Sequence, residues 1–175
     1  AKATRDLEEM QAMLEATLAF ARDDAKGEPR VALDLAGLAQ TACDAFADAG
    51  YITSYAGPEH LRQQGRPTAL RRLLDNLIDN AVKYGGGAEM TLRAAGDTVE
   101  IDVADRGPGI PAGEKEKVFE AFYRIDASRS RETGGTGLGL AVARSIARAH
   151  GGDVTLHDRE GGGLVATLRL PRPAA

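Results

Sequence analysis

A glycine-rich segment near the carboxyl end constrains this chain more than any other feature. Residues Gly134 to Leu140 read Gly-Gly-Thr-Gly-Leu-Gly-Leu and lead directly into a helix with regularly spaced apolar residues. Glycine loses more conformational freedom on folding than any other residue, so a helix that begins this way loses stability. That cost is typical of a backbone that approaches a ligand closely, and the free N–H groups and dipole of a helix amino end favour a phosphate. An ordinary glycine-rich turn is the alternative, and the segment alone leaves both open.

A predicted helix from Thr68 to Tyr84 carries a polar stripe at the edge of its apolar face. Asn76 and Asn80 are four residues apart on this stripe, and Lys83 follows one turn later. An amide oxygen can bind Mg²⁺, which prefers oxygen ligands, and a lysine can meet a phosphate as a point charge. Polar residues at a core margin can also be merely solvated. The apolar face comprises six residues: Leu70, Leu73, Leu74, Leu77, Ile78 and Ala81.

An aspartate continues the inward face of a predicted strand, Val99 to Ala104. Strand side chains alternate, so Asp105 has the same parity as Val103 and should point inward. The residues after it form a tight bend rich in glycine and proline. An aspartate at a strand end commonly caps a turn. The alternative is a carboxylate on a pocket floor that accepts a hydrogen bond from an amino group such as that of adenine.

Composition limits the classes of function. The chain has 175 residues, with 22 basic and 26 acidic side chains and a net charge of −4, which does not favour a nucleic-acid partner. The single cysteine, Cys43, cannot form an internal disulfide and is interpreted as a small buried residue. No apolar run approaches the roughly 18 residues that a membrane span needs, and no signal-peptide pattern is present. We therefore expect a cytoplasmic chain without membrane contact, or the cytosolic piece of a larger protein.

The order of elements predicts an α+β fold with two layers. Residues 1–24 hold an amphipathic helix with heptad-like spacing over residues 5–22, and 25–29 form a linker that contains Pro29. Blocks of helices and mostly antiparallel strands follow over residues 30–172, which is typical of an α/β sandwich. The predicted strands are 30–33, 51–55, 90–94, 99–104, 154–157 and 164–170, and the predicted helices are 35–49, 68–84, 114–119 and the glycine-rich helix ending near His150.

Four segments in sequence order resemble the nucleotide-binding boxes of bacterial sensor histidine kinases. They are Asn76 to Tyr84 (Asn-Leu-Ile-Asp-Asn-Ala-Val-Lys-Tyr), Asp105 to Ile110 (Asp-Arg-Gly-Pro-Gly-Ile), Val118 to Arg124, and Gly135 to Leu140. Any one box is a weak signal, whereas four in order are a strong one. The superfamily also contains gyrase-type and chaperone ATPases, and the resemblance implies its α/β sandwich, the Bergerat-type ATP-binding fold. The helix within residues 1–24 resembles the second helix of the family's dimerisation and phosphoacceptor hairpin.

The resemblance implies a Mg–ATP site and gives matching residues their roles. Asn80 would bind Mg²⁺, Asn76 would support the metal, and Lys83 would meet a phosphate; these three form the predicted catalytic set. Asp105 would accept a hydrogen bond from the adenine amino group. The other positions implied to contact the nucleotide are Tyr84, Gly107, Gly109, Ile110, Phe122, Arg124, Gly135, Thr136, Gly137, Leu138 and Gly139. Residues 124–136 would form a lid, although Phe119, Phe122 and Tyr123 are interpreted mainly as core and hinge residues.

Transfer to a protein side chain is favoured over hydrolysis. In superfamily members that hydrolyse ATP, a glutamate one turn before the metal-binding asparagine activates water, and this chain has Asn76 there. The family's acceptor is a histidine followed by an acid on the first hairpin helix. None of His60, His150 and His157 resembles it, and we interpret all three as structural or surface residues. For His150, at a helix end, a cation would interact favourably with the helix dipole.

The sequence therefore predicts a protein-histidine kinase whose acceptor histidine lies outside this chain. The implied partners are the phosphoacceptor hairpin and a cognate response regulator, and residues 5–22 offer a possible homodimer contact. An ATP-hydrolysing module, a protein serine kinase of the same superfamily and a degenerate nucleotide-sensing domain remain alternatives at this point.

Overall fold

Residues 27–125 and 136–172 are described by the structure, a computed structural model, and they contain a five-stranded and a two-stranded sheet covered by helices. The expectations for residues 1–24, and for 25 and 26 of the linker, fall outside the described residues. The elements in chain order are β1 (Val31–Asp34), α1 (Leu35–Asp48), β2 (Ile52–Ala56), β3 (Arg62–Gly65), α2 (Pro67–Gly85), β4 (Gly87–Ala95), β5 (Thr98–Ala104), two 3₁₀ turns (Ala112–Glu114 and Lys117–Phe119), α3 (Gly139–Ala149), β6 (Asp153–Asp158) and β7 (Leu164–Pro171).

The larger sheet is mixed and has the strand order β2-β4-β5-β7-β6. Only β2 and β4 pair in parallel, and the other neighbours are antiparallel. Alternate residues of β5, such as Val99, Ile101 and Val103, are buried on the face that the helices cover. The expected α+β sandwich is confirmed.

Helix α2 provides the largest part of the core, as its sequence pattern predicts. The six residues of its predicted apolar face are all buried. Pro67 occupies the first turn, where its missing N–H costs nothing, and Gly86 ends the helix in the left-handed region at φ 74°. Burying a leucine side chain contributes about 1.5–3 kcal/mol, so this face fixes α2 firmly on the sheet.

Two charged side chains, one in the predicted linker and one directly after it, contact helix ends of the domain. The Glu28 carboxylate accepts hydrogen bonds from the backbone N–H groups of Thr68 (2.9 Å) and Ala69 (3.2 Å) in the first turn of α2. The Arg30 guanidinium donates to the carbonyl oxygen of Ala149 at the end of α3. Each charge has the sign that its helix terminus favours.

Three features of the fold differ from the sequence-based expectations. Strand β3, a short polar segment that pairs with β1, was not expected, because Arg62, Gln63 and Gln64 give no apolar alternation. The parallel pairing of β2 with β4 joins strands that are separated by a helix. The predicted helix at 114–119 is instead the pair of 3₁₀ turns.

Cys43 is buried, as expected, and its Sγ lies 3.9 Å from the Sδ of Met90. Within the described ranges, every helix is too short or too polar to cross a membrane.

His150 is a structural residue, as interpreted from the sequence, but it is not the cation that the helix dipole would favour, because it is only 4% exposed and serves as a hydrogen-bond acceptor. Its Nε2 accepts from the backbone N–H of Arg66 at 3.1 Å, so its Nδ1 carries the proton and donates to the Ile146 carbonyl oxygen at 2.7 Å. Burial lowers the pKa of His150 most, and the nearby Arg30 and Arg66 charges lower it further, whereas the hydrogen bond to Ile146 and the Glu28 charge oppose the shift. The neutral ring is therefore the folded form.

The free energy of unfolding should fall as the pH drops below about 6.5, the ordinary histidine pKa. In this range the histidine of the unfolded chain binds a proton, whereas folded His150 stays neutral. The contribution of neutral His150 to the free energy of unfolding is fully present above about pH 6.5 and is lost as the pH falls toward the lowered pKa of the folded state. Urea unfolding of the parent chain and of His150→Gln between about pH 5 and 7.5 measures it. We expect His150→Gln to remove part of the slope and the control His157→Gln, at an exposed position, to retain it; equal slopes for His150→Gln and the parent chain would contradict this assignment.

Candidate nucleotide-binding site

The amide stripe of α2 lies beside the start of α3. A methyl group on Gly139 would lie 3.6 Å from Oδ1 of Asn76, so the amide oxygen sits in contact distance of the first turn of α3. Asn80 is half-buried one turn farther along the same stripe. These amide oxygens are ligands of the kind that Mg²⁺ accepts, and no side chain at Gly139 fills the space in front of Asn76.

Lys83 forms an ion pair with Asp79, with 2.7 Å between Nζ and Oδ2. Both side chains are substantially exposed, so the pair stabilises the fold by well under about 1 kcal/mol. Tyr84, the next residue, is about half exposed at the carboxyl end of α2. The lysine is therefore held near the stripe by a weak contact that a phosphate can replace.

Asp105 is buried directly after β5, with 5% of its surface exposed. Its Oδ1 accepts a hydrogen bond from the Gly107 N–H at 2.7 Å, so it caps the bend as one of the two interpretations predicted. Burial raises the pKa of this carboxyl, and the Gly107 hydrogen bond opposes the shift. A carboxylate has about four acceptor sites, so the turn bond leaves capacity for a ligand amino group.

Glycines allow the surrounding backbone to approach Asp105 from three directions. A methyl group added to Gly85 would lie 2.5 Å from Asp105 Cβ. One added to Gly107 would lie 2.6 Å from the Tyr84 carbonyl oxygen, and one added to Gly163 would lie 2.1 Å from the Asp105 carbonyl oxygen. Contacts below 3.0 Å require atoms to move, so each position tolerates only glycine without a shift. Gly107 matches the sequence-based site, whereas Gly85 and Gly163 were not expected there.

A cluster of three charged side chains, Glu89, Arg106 and Arg159, contacts the backbone of Asp105 through Arg159. Arg159 donates to the carbonyl oxygen of Asp105 at 3.1 Å and to Oε2 of Glu89 at 2.7 Å. Arg106 donates to the other oxygen, Oε1 of Glu89, at 3.0 Å, and the Arg159 and Arg106 hydrogen bonds lower the pKa of the Glu89 carboxyl. The sequence gives no signal for this cluster, because Glu89 and Arg159 are 70 positions apart. The run of three glycines at 161–163 is the local sequence feature that indicates a close backbone approach to Asp105.

The two ends of the predicted lid are joined through their backbones. Phe122 donates its N–H to the Gly137 carbonyl oxygen at 3.0 Å, and a methyl group on Gly137 would lie 3.0 Å from Phe122 Cα. Both residues have positive φ, 67° for Phe122 and 71° for Gly137. A positive φ is unusual for phenylalanine and costs about 1–2 kcal/mol, so the surrounding structure must enforce it.

The remaining predicted residues fall around these contacts. Gly109 has a φ of 73° and lies near the Gly163 carbonyl oxygen, and Ile110 packs against the core. Leu138 is buried immediately before α3, and Thr136 is half-buried. Gly135 lies outside the described residues, as do Arg129 and Arg131, the other two arginines of the predicted lid.

The structure thus brings three parts of the chain together. Tyr84 and Gly85 of α2 contact the Asp105–Gly107 bend, and Asn76 of the same helix contacts Gly139 at the start of α3. Helix α2 therefore connects an acidic acceptor beside its carboxyl end with an amide, Asn76, that contacts the amino end of the 11-residue helix α3. This combination can bind a molecule that carries an amino-bearing base at one end and a charged phosphate tail at the other.

Each of the three histidines makes a hydrogen-bonding contact within the domain. His60 Nδ1 lies 2.6 Å from Oδ2 of Asp34, and His157 Nε2 lies 2.9 Å from the Thr155 hydroxyl in β6. Together with buried His150, they match the structural or surface roles that the sequence predicts.

Comparison with known proteins identifies relatives of this arrangement. Sensor histidine kinase GtrS of Pseudomonas aeruginosa is 38% identical over 168 residues, which cover 96% of this chain and 34% of that protein. The crystal structure of the ATP binding domain of PrrB from Mycobacterium tuberculosis superposes with a TM-score of 0.69 at 32% identity, covering 83% of this chain and 98% of that domain. Full-length ShkA in complex with AMPPNP gives a TM-score of 0.77 at 27% identity, over 99% of this chain and 38% of that one.

The chain therefore spans about a third of the GtrS protein, and its matched structures include isolated ATP-binding domains. Residues 65–174 match the model of one protein family, a range that includes α2, Asp105 and the glycine-rich helix. This chain belongs to the histidine kinase-, DNA gyrase B- and HSP90-like ATPase family, and it is homologous to the ATP-binding domains of sensor histidine kinases.

Proposed function

We propose that this chain is the catalytic ATP-binding part of a two-component sensor kinase. It binds ATP with the adenine amino group donating to Asp105 and the phosphates near the amino end of α3. The structure of the relative ShkA in complex with AMPPNP supports the binding of a nucleotide. Burial of Asp105 at the strand end and the missing side chain at Gly139 fit such a ligand, because a nucleotide needs an acceptor at one end and exposed N–H groups at the other.

Mg²⁺ accompanies the nucleotide in this proposal. Asn80 would bind the metal through its amide oxygen, and Asn76 would support the metal or its waters. The ion would supply the positive charge that neutralises the phosphates, a main requirement of phosphoryl transfer. Lys83 exchanges its contact with Asp79 for a phosphate, which costs little because the ion pair is exposed.

The observation that carries the reaction type is the amide at position 76. Asn76 faces the first turn of α3 but has no basic group that could activate water. We therefore propose transfer of the γ-phosphoryl group to a histidine outside this chain. The unprotonated imidazole nitrogen attacks phosphorus, the bond to the β-phosphate oxygen breaks, ADP leaves with that electron pair, and the proton on the other ring nitrogen passes to a base or to water.

The partners follow from this reaction. The acceptor is a histidine-bearing hairpin, in the same full-length protein or supplied in trans, and a cognate response regulator then receives the phosphoryl group. Residues 5–22 provide a possible homodimer contact. We expect the domain to lie in the cytosol as part of a membrane-attached kinase, where ATP is available.

Incubating the chain with γ-labelled ATP and Mg²⁺ tests the proposal. We expect the chain to remain unlabelled and a separately supplied acceptor hairpin of the same full-length protein to acquire an acid-labile label. Asn80→Ala should lower this transfer about tenfold or more, because positioning and charge neutralisation provide most of the catalysis. The same variant should weaken Mg²⁺-dependent nucleotide binding more than metal-free binding.

A matched control is Asp48→Asn, an exposed carboxylate on α1, which should leave transfer unchanged. Strong labelling of the chain itself, or an acid-stable label on the hairpin, would contradict transfer to an external histidine. Rapid release of ADP without an acceptor would instead identify a hydrolytic module.

A further inference from the structure

Arg144, in the second turn of α3, joins three parts of the structure through one guanidinium group. Its Nε and one terminal nitrogen donate to the two carboxylate oxygens of Asp153 in β6, at 2.8 and 3.2 Å. Its other terminal nitrogen donates to Oε2 of Glu116 at 2.7 Å. The Arg144 side chain is only 13% exposed and Asp153 is 38% exposed, so the bonds between them are partly shielded from water, whereas the bond to Glu116 lies at the surface.

The same guanidinium lies over an aromatic ring. The Arg144 Cζ atom is 4.2 Å from the centre of the Phe119 ring, which packs against the core. A guanidinium over an aromatic face is attracted by the ring's electron distribution. Arg144 therefore holds both the first residue before the second 3₁₀ turn, Glu116, and the last residue of that turn, Phe119.

The segment that Arg144 holds has mainly local backbone bonds. Glu114 N–H donates to Pro111, and Phe119 N–H donates to Glu116. Such bonds form turns but do not place them against the rest of the molecule. Tertiary placement comes from side chains: Arg144, the buried Val118, and the ion pair of Lys115 with Asp158 at 2.8 Å.

Two connections therefore link the same two stretches of chain. Residues 116–122 are joined to 137–144 by the Arg144 contacts at one end and by the Phe122–Gly137 backbone hydrogen bond at the other. The positive φ of Phe122 shows that this second connection is strained, so it needs support from its surroundings. Arg144 is the charged group placed to give that support.

We propose that Arg144 is a positioning residue for the nucleotide. By fixing the 3₁₀ segment against α3, it keeps the Phe122–Gly137 bond formed and holds the first turn of α3 at the geometry that receives phosphate. This inference rests on the proposed nucleotide site and adds a residue that does not itself touch the ligand.

The test compares Arg144→Met with Arg148→Met. Arg148 also forms an ion pair with Asp153, at 3.3 Å, but it is 60% exposed and, among the described residues, its side-chain hydrogen bonds go to Asp153 and not to the 3₁₀ segment, so it is a matched control. We expect Arg144→Met to raise the KM for ATP in hairpin labelling and the Kd for an ATP analogue about tenfold, with a smaller change in kcat. The Phe122 amide should exchange its hydrogen faster in the free protein. Arg148→Met should change none of these quantities.

Arg144→Lys keeps the charge but not the fork of donors, so it should restore only part of the affinity. If Arg144→Met fails to fold, Glu116→Gln provides the same test, because Glu116 is 77% exposed and its loss leaves the core intact. Unchanged Kd and unchanged Phe122 exchange in the folded variants would overturn the proposal, even if the melting temperature fell. If the parent chain binds no nucleotide, the proposed function fails first, and amide exchange still reports whether Arg144 supports the Phe122–Gly137 bond.

Discussion

Replacing Asp105 by asparagine should weaken adenine-nucleotide binding by about 10- to 100-fold, because hydrogen bonds to charged groups contribute about 1.5–3 kcal/mol. Asparagine keeps the shape of the side chain and an oxygen that can accept from the Gly107 N–H. Its amide nitrogen cannot accept a hydrogen bond from the adenine amino group. Two donors, the asparagine NH₂ group and the adenine amino group, would then face each other. Calorimetric titration with an ATP analogue measures the change.

The same substitution should not lower the stability of the fold. Burial raises the pKa of Asp105 above its unfolded value, so the carboxyl favours folding most in its protonated form, and this contribution is lost as the pH rises through the folded pKa. At neutral pH the ionised group therefore costs folding free energy, which Asp105→Asn removes. We expect an unchanged or higher melting temperature together with weaker binding.

Asp102→Asn is a control in the same strand. Asp102 faces away from the core, where it accepts from the Thr167 hydroxyl and the Arg93 guanidinium. This substitution should leave nucleotide affinity unchanged. Equal losses of affinity in the two variants, or a change below about twofold for Asp105→Asn, would show that the adenine is not bound here.

Gly163→Ala should destabilise the domain by about 3 kcal/mol or more, because it combines a strained backbone with overpacking. The residue has a φ of 112°, and its new methyl group would lie 2.1 Å from the carbonyl oxygen of Asp105 and 3.1 Å from Cα of Arg106. These are backbone atoms that cannot rotate away. The bend that carries Asp105 must then shift, so we also expect nucleotide binding to be lost.

Gly162→Ala separates the two causes. Gly162 has a φ of 103°, close to that of its neighbour, but a methyl group there meets no atom within 4 Å. This variant should show only the backbone strain, about 1–2 kcal/mol, and should keep nucleotide binding. Urea unfolding of both variants gives the comparison, and equal losses of unfolding free energy would show that the contact with Asp105 does not matter.

The helices were largely predictable because their signals are local. In α2 the spacing of leucines, the early proline and the terminal glycines all indicate the same helix, and all six predicted core residues are buried. The two strands of the β4–β5 pair were likewise expected, as the predicted strands 90–94 and 99–104. Strand β3 was missed because its short segment gains its structure from pairing with β1 and not from its own pattern.

His150 illustrates where local reasoning fails. A histidine at a helix end is expected to be a cation, because the helix dipole favours positive charge. Here the backbone N–H of Arg66, 84 positions earlier, needs an acceptor, and burial makes the charged form costly. Tertiary contacts therefore keep His150 neutral, although its position at a helix end would favour a cation.

The sequence by itself determined the family, the fold class and the order of the residues proposed to bind the nucleotide, because short motifs such as Asn76-Leu-Ile-Asp-Asn80 carry their chemistry in their spacing. Only the tertiary structure decided how Asp105 is held, through Gly85, Gly163 and the Arg159–Glu89 ion pair. These contacts join residues that are distant in sequence, and close backbone packing has no periodic pattern that a sequence can display.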